Sequence, residues 1–153
     1  MNYRHATPKD MLQIAALDRD VWRSNHAPDF IPDGEHAWRI WIDIAFVCVA
    51  EENDHILGCS LAFPGFDDSL YLHKLFVAEA HHGKGFGKKL LEETVHFCDK
   101  IGKPVWLTVD PKNQKAISLY EQFDFKITSH VEGFYRQEEA RFIMRRTPNQ
   151  TAQ

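Results

Sequence analysis

The chain has 153 residues, of which 44% are apolar and 26% charged, with a formal net charge of −4. That length suits one domain able to bury a core without disulfide or metal staples, and the balance of apolar to charged residues excludes a disordered chain. Acids and bases are interspersed with no basic face for nucleic acid, and no apolar run nears the roughly 20 residues of a bilayer-crossing helix, so neither kind of partner is expected.

Cys48, Cys59 and Cys98 are odd in number, match no zinc spacing and sit among apolar neighbours. They read as small buried hydrophobes in a reducing, cytoplasmic setting. The polar start MNYRHATPKD has no signal-peptide core. Residues 147–153 read as a disordered tail, which leaves 1–146 as a single domain.

Residues 2–6 read as a first strand. Thr7-Pro8-Lys9-Asp10 then starts a helix: Thr7 can cap, Pro8 suits the first helical position, and Asp10 favours the positive helix end. Met11, Ile14, Ala15, Leu17, Asp18 and Val21 make an apolar stripe with one polar break, ending near Asn25. Residues 26–32 read as a loop. A second helix is expected over 33–43, with Trp38, Trp41 and Ile42 on its apolar face. Residues 45–50 and 55–63 form a hairpin about the polar turn Glu51-Glu52-Asn53-Asp54, and 69–77 is the next strand of the meander. A strong helix spans 85–101, with Leu90, Leu91, Thr94, Val95, Phe97, Cys98 and Ile101 inward and Gly102 as its stop. Residues 104–109 form a buried strand, and 113–123 a short helix with Ala116, Leu119, Tyr120 and Phe123 on one face. Residues 125–131 and 140–145 form the last two strands. Antiparallel hairpins combined with one right-handed β-α-β crossover make an α/β domain with a mixed, mostly antiparallel sheet flanked by helices.

The segment Leu75-Phe-Val-Ala-Glu-Ala-His-His-Gly-Lys-Gly-Phe-Gly-Lys-Lys-Leu-Leu91 carries the chemistry. A strand ends, a glycine-rich turn follows and a helix begins. Gly83, Gly85 and Gly87 permit positive φ and close approach of backbone to a ligand. The first N–H groups of the helix lack internal partners and carry the positive end of its dipole, so the turn can hold phosphate or pyrophosphate. On these residues alone, a structural turn and a dinucleotide site both stay open. The dinucleotide pattern places Lys88 where its third glycine belongs, and no P-loop aligns.

His82-Gly83-Lys84-Gly85-Phe86-Gly87 resembles the Q/R-x-x-G-x-G/A signature of the GCN5-related N-acetyltransferase (GNAT) family, with His82 in place of Gln or Arg. Downstream, Asn113, Ala116, Tyr120 and Phe125 match that family's N-x-x-A-x-x-x-Y-x-x-x-G-F, with Asp124 in the glycine place. The order of elements over 1–146 agrees as well. The resemblance implies an acyl-CoA N-acyltransferase fold and direct transfer of acetyl from acetyl-CoA to an amine, without metal. It implies that Leu75, Phe76, Val77, His82, Gly83, Lys84, Gly85, Phe86, Gly87, Lys88, Asn113 and Tyr120 hold acetyl-CoA, the pantetheine lying along the strand edge like an added strand.

It further implies that a backbone N–H, that of Val77, stabilises the oxyanion and that Tyr120 protonates the leaving thiolate. The base stays open. The two places where family members carry a glutamate hold Thr108 and Tyr71. His73, which shares a strand face with Tyr71, Leu75 and Val77, is the leading substitute, with Asp110, Glu51 and a water relay as alternatives. Trp22, Phe30, Trp38 and Trp41 either line an acceptor pocket or pack on the sheet. Asp29, Asp33 and Glu35 either attract a cationic amine or are ordinary turn residues. The segment Glu132–Glu139 is expected to close over the acceptor. A small-molecule amine, a polyamine and a protein amine all remain acceptors, a homodimer is compatible with the sequence, and a non-catalytic acyl-CoA-binding or regulatory module is the alternative reading. His81 and His82 are adjacent and do not converge on a metal.

Overall fold

The computed structural model describes residues 1–25 and 33–149. The strands are β1 (Asn2–His5), β2 (Phe46–Glu52), β3 (His55–Pro64), β4 (Leu70–Val77), β5 (Val105–Val109), β6 (Lys126–Val131) and β7 (Arg141–Arg146). The helices are α1 (Met11–Asn25), α2 (Glu35–Ile44), α3 (Phe86–Lys100) and α4 (Gln114–Glu121). One seven-stranded sheet runs β1-β2-β3-β4-β5-β7-β6. Pairing is antiparallel for β1–β2, β2–β3, β5–β7 and β6–β7 and parallel for β4–β5, which is the mixed sheet expected. The chain divides into two compact units, Met1–Phe63 with Lys74–Thr94, and Pro64–His73 with Val95–Gln153.

In the first unit, Thr7 and Asp10 form the expected cap. Thr7 N–H donates to Asp10 Oδ2 at 2.7 Å across a 3-10 turn, Pro8–Asp10, that leads into α1. Arg4 then binds Asp10 through two guanidinium nitrogens and Glu51 through two, joining β1, this turn and β2. The α1 stripe is inward as predicted. Ile14, Ala15 and Asp18 are buried and pack with Trp38, Val47, Val49, Ile56, Cys59 and Leu61. Asp18, the polar break, accepts from Trp38 Nε1 at 3.1 Å and pairs with Lys74 Nζ of β4 at 2.5 Å. Lys74 also meets Asp33 at 2.8 Å. Breaking so buried a pair by removing one member costs about 3–5 kcal/mol.

Several boundaries differ from expectation. Helix α2 starts at Glu35 behind an extended Gly34, and Asp33 before it is engaged by Lys74. Glu51 and Glu52 belong to β2; the turn is only Asn53-Asp54, both with positive φ (50° and 64°), as a two-residue hairpin requires. The loop expected at 26–32, with Asp29 and Phe30, lies outside the described residues.

In the second unit, β5 and β7 bury Val105, Leu107, Val109 and Met144, and α4 buries Ile117. The short helix is therefore 114–121, and Ile117 is its buried side chain, whereas Ala116, Leu119 and Tyr120 are half-buried. Ile101 is 40% exposed because α3 ends at Lys100 and Gly102 turns the chain at φ 67°, so it leaves the inward face predicted for it. β6 is an exposed edge strand. Arg146, 3% exposed, forks onto Asp99 at 2.6 and 2.8 Å and fixes the end of β7 to α3. Asn149 N–H also reaches Asp99, at 2.9 Å.

Candidate functional site

The glycine-rich turn lies in the first unit. Gly83 and Gly85 have φ of 75° and 85°, a region that side chains disfavour, and a Cβ built on either meets no atom within 4 Å. Both backbones therefore face open space. Gly87 differs from expectation: it is helical, without positive φ, and a Cβ there would sit at ordinary contact distance, 3.8 Å, from Val77 Cγ2. Lys89 N–H donates to Gly85 O at 3.0 Å across the first turn of α3. The N–H groups of Phe86, Gly87 and Lys88 precede the helical ladder and carry the dipole's positive end. Lys84 and Lys88 are exposed beside them.

His82, which stands in the signature's first place, bonds inside the turn. Its Nε2–H donates to Val77 O at 2.8 Å. The same peptide unit is held on its other side, where Ala78 N–H donates to Leu57 O at 2.8 Å. The end of β4 is thus pinned by both a side chain and β3. In Leu75-Phe76-Val77, Phe76 sets its ring edge-on to Trp38 at 6.1 Å and Val77 is buried. His81 stacks on Phe86 at 5.7 Å. Among the described residues no three His, Cys, Asp or Glu side chains gather where a metal ion could sit.

The second unit holds the other candidates. Asn113 caps α4, its Oδ1 accepting from Ala116 N–H at 3.1 Å. Tyr120 packs on Phe125 with centroids 5.8 Å apart, and burial pushes its phenol up to about 12. His73 is exposed, 5.7 Å from the Tyr71 ring, as strand alternation predicts. Asp110 accepts from Lys112 N–H at 2.9 Å. Of the other bases considered, Glu51 is committed to Arg4 in the first unit.

Sequence reasoning missed one arrangement. Tyr71, Thr108 and Tyr135 join hydroxyls, Tyr71 Oη to Tyr135 Oη at 3.0 Å and Thr108 Oγ1 to Tyr135 Oη at 2.9 Å. Tyr71 packs against Trp106 with rings tilted and centroids 4.4 Å apart, and burial raises its phenol above the ordinary range. Tyr135 comes from the β6–β7 connection; the only signal for it was that this connection was expected to close over an acceptor. Of the early aromatics, Trp38 is fully buried and packs against Trp41, which places both in the core of their own unit. Glu35 binds Arg19 at 3.3 Å. Burial pushes the Cys48 and Cys98 thiols up to about 12 and raises Cys59 as well, so all three behave as the inert small hydrophobes expected. Among the described residues no helix is long and apolar enough to cross a membrane.

The profile of the acetyltransferase (GNAT) family matches residues 11–125. A probable N-acetyltransferase of Mycobacterium tuberculosis is 25% identical over 145 residues, covering 85% of this chain and 80% of the relative. The L-methionine sulfoximine/L-methionine sulfone acetyltransferase of Salmonella typhimurium is 31% identical over 91 residues, 56% of this chain and 53% of the relative, so the match spans about half of that protein. Among solved structures, YncA of Salmonella typhimurium, determined with acetyl-CoA, superposes with a TM-score of 0.82 at 21% identity, covering 100% of this chain and 96% of the other. The ribosomal-protein-S18-alanine N-acetyltransferase of Escherichia coli gives 0.81 at 19% identity, covering 99% and 96%. At these identities the superpositions establish the fold.

Proposed function

The chain belongs to the acetyltransferase (GNAT) family, and from that premise we propose that it transfers acetyl from acetyl-CoA directly to a primary amine of a small molecule, a polyamine or a protein. The observation that carries this reading is the turn at Gly83–Gly85, whose positive-φ backbone faces open space just before the unpaired N–H groups of α3. Those groups, with Lys84 and Lys88, suit the pyrophosphate of coenzyme A. Residues 1–146 act as one acetyltransferase domain in the reducing cytoplasm.

In this reading the β4 edge at Leu75–Val77 receives the pantetheine arm, and His82 keeps the Val77–Ala78 peptide in register for it. The nitrogen lone pair of a neutral amine attacks the thioester carbonyl. The Val77 N–H stabilises the oxyanion, the C–S bond breaks, and Tyr120 gives its phenolic proton to the thiolate. With a phenol held near 12, Tyr120 is fully protonated at neutral pH. The proton lost by the amine leaves through His73, Asp110 or water.

Titration calorimetry of acetyl-CoA against wild type and Gly85→Asp tests the proposal. The added carboxylate stands where the pyrophosphate should lie, so affinity is expected to fall about a hundredfold or more, roughly 2.8 kcal/mol. The Cβ itself meets open space, so the left-handed strain of about 1–2 kcal/mol lowers Tm by only a few degrees. Unchanged affinity removes the phosphate-site reading.

A further inference from the structure

The hydroxyl cluster of Tyr71, Thr108 and Tyr135 has a composition that selects among amines. Three hydroxyl oxygens carry three protons and six lone pairs, and the two hydrogen bonds among them use two of each. What remains is one O–H donor and an excess of acceptor positions. Tyr135 is 52% exposed, so a ligand can reach the central hydroxyl.

Among the described residues, the charged groups seated over the cluster's aromatic rings are two arginines. Arg141 lies over the Tyr135 ring at 5.3 Å and Arg145 over Trp106 at 5.7 Å. Glu139, the carboxylate nearest in sequence to Arg141, is spent on Arg141 at 3.1 Å and on Arg136 at 3.5 Å. His73 stands beside Tyr71, ring centroids 5.7 Å apart. Burial keeps the Tyr71 phenol neutral, so it supplies no anion. Such a surface offers acceptors to N–H groups while disfavouring an ammonium, and polyamines carry several.

An acceptor that sheds its own proton to water needs no base from the protein. An α-amino group titrates at about 7.7–8.0 and a lysine side chain at about 10.4. Near pH 7.5 roughly a third of the first is neutral, against about one part in a thousand of the second. The one remaining O–H donor suits a carbonyl beside the amine.

Resting on the acetyltransferase reading above, we infer that the Tyr71–Tyr135–Thr108 cluster recognises an α-amine adjacent to a carbonyl, as carried by an amino-acid amide or a peptide N-terminus, rather than a polyamine or a lysine side chain. The cluster accepts the amine N–H groups, returns one hydrogen bond to the carbonyl, and selects the amine that is already neutral.

The experiment measures coenzyme A thiol release from acetyl-CoA with four acceptors: an amino-acid amide, a lysine-free peptide with its N-terminus exposed, the N-terminally blocked peptide bearing one lysine, and spermidine. The α-amines are expected to exceed the other two in kcat/KM by about tenfold or more, with a profile that rises with pH and levels near 8. Comparing the first two arms tells which source of the α-amino carbonyl is preferred. Tyr135→Phe should raise acceptor KM about threefold or more, with acetyl-CoA affinity unchanged. Thr108→Val reads the same cluster from its other end and decides the matter if Tyr135→Phe fails to fold. Preference for spermidine or the blocked lysyl peptide overturns this inference alone, as does an unchanged acceptor KM in both variants or failure of both α-amine arms while acetyl-CoA binds. No binding of acetyl-CoA and no thiol release with any amine overturns the acetyltransferase reading, and this inference with it.

Discussion

Tyr120 lies on a half-buried helix face, and both of its readings, core side chain and proton donor, predict the same packing. Tyr120→Phe separates them, because it keeps the ring against Phe125 and removes only the hydroxyl. If the phenol protonates the thiolate, kcat falls about tenfold or more, equal to about 1.4 kcal/mol of transition-state stabilisation, while acetyl-CoA affinity and Tm hold. Wild-type kcat in the variant assigns the proton to water. Burial raises this phenol to about 12, so it stays protonated as pH climbs to 10, and any loss of rate below that pH belongs to another group. The role of Tyr120 is legible only through its motif; helical spacing alone marks it as core. Asp18 shows what a single residue leaves unsaid. A carboxylate on an apolar stripe demands a buried partner, but sequence does not reveal that Lys74, 56 residues away, supplies it.

At the scale of elements, the corner between β1, the Pro8–Asp10 turn and β2 is held by Arg4. Its hydrogen bonds, the largest influence on Asp10, lower that carboxyl from 3.8 to about 2. A carboxyl depressed by folding stabilises the folded state above its unfolded value and loses that contribution as pH falls through its folded value. Asp10→Asn should therefore cost about 2 kcal/mol at pH 7, with the deficit shrinking below pH 4 and largely gone near pH 2. Urea unfolding across that range checks it; a deficit independent of pH would show that the Thr7 cap and packing, and not the Arg4 pair, carry the effect.

The order of strands and helices was legible throughout, since each has its own period and turn residues. The misplaced ends are places where tertiary partners override local signals. Glu51 extends β2 because Arg4 holds it, and Asp33, expected as the first residue of the second helix, lies outside α2 where Lys74 holds it. The inward residue of α4 is Ile117, one position away from the predicted face, because a helix barely two turns long gives too few residues to fix its phase.

For the whole molecule, mixed pairing followed from the one β-α-β crossover, but the placing of β7 between β5 and β6 did not. The burial of the two strands explains it: Met144 of β7 is fully buried, whereas β6 is exposed along its length and belongs at an edge. The glycine turn was legible because its chemistry is written in consecutive residues. The hydroxyl cluster was not, because Tyr71, Thr108 and Tyr135 come from β4, β5 and the β6–β7 connection, and only folding brings them together. The central claim is that this fold moves an acetyl group. Chelator-dialysed protein is mixed with acetyl-CoA and a panel of primary amines, and released coenzyme A thiol is followed beside the mass of each amine. The account predicts thiol release that requires an amine, with one acetyl gained per thiol and no dependence on added metal. Binding of acetyl-CoA without acetyl transfer to any amine would contradict it and leave a non-catalytic acyl-CoA-binding module.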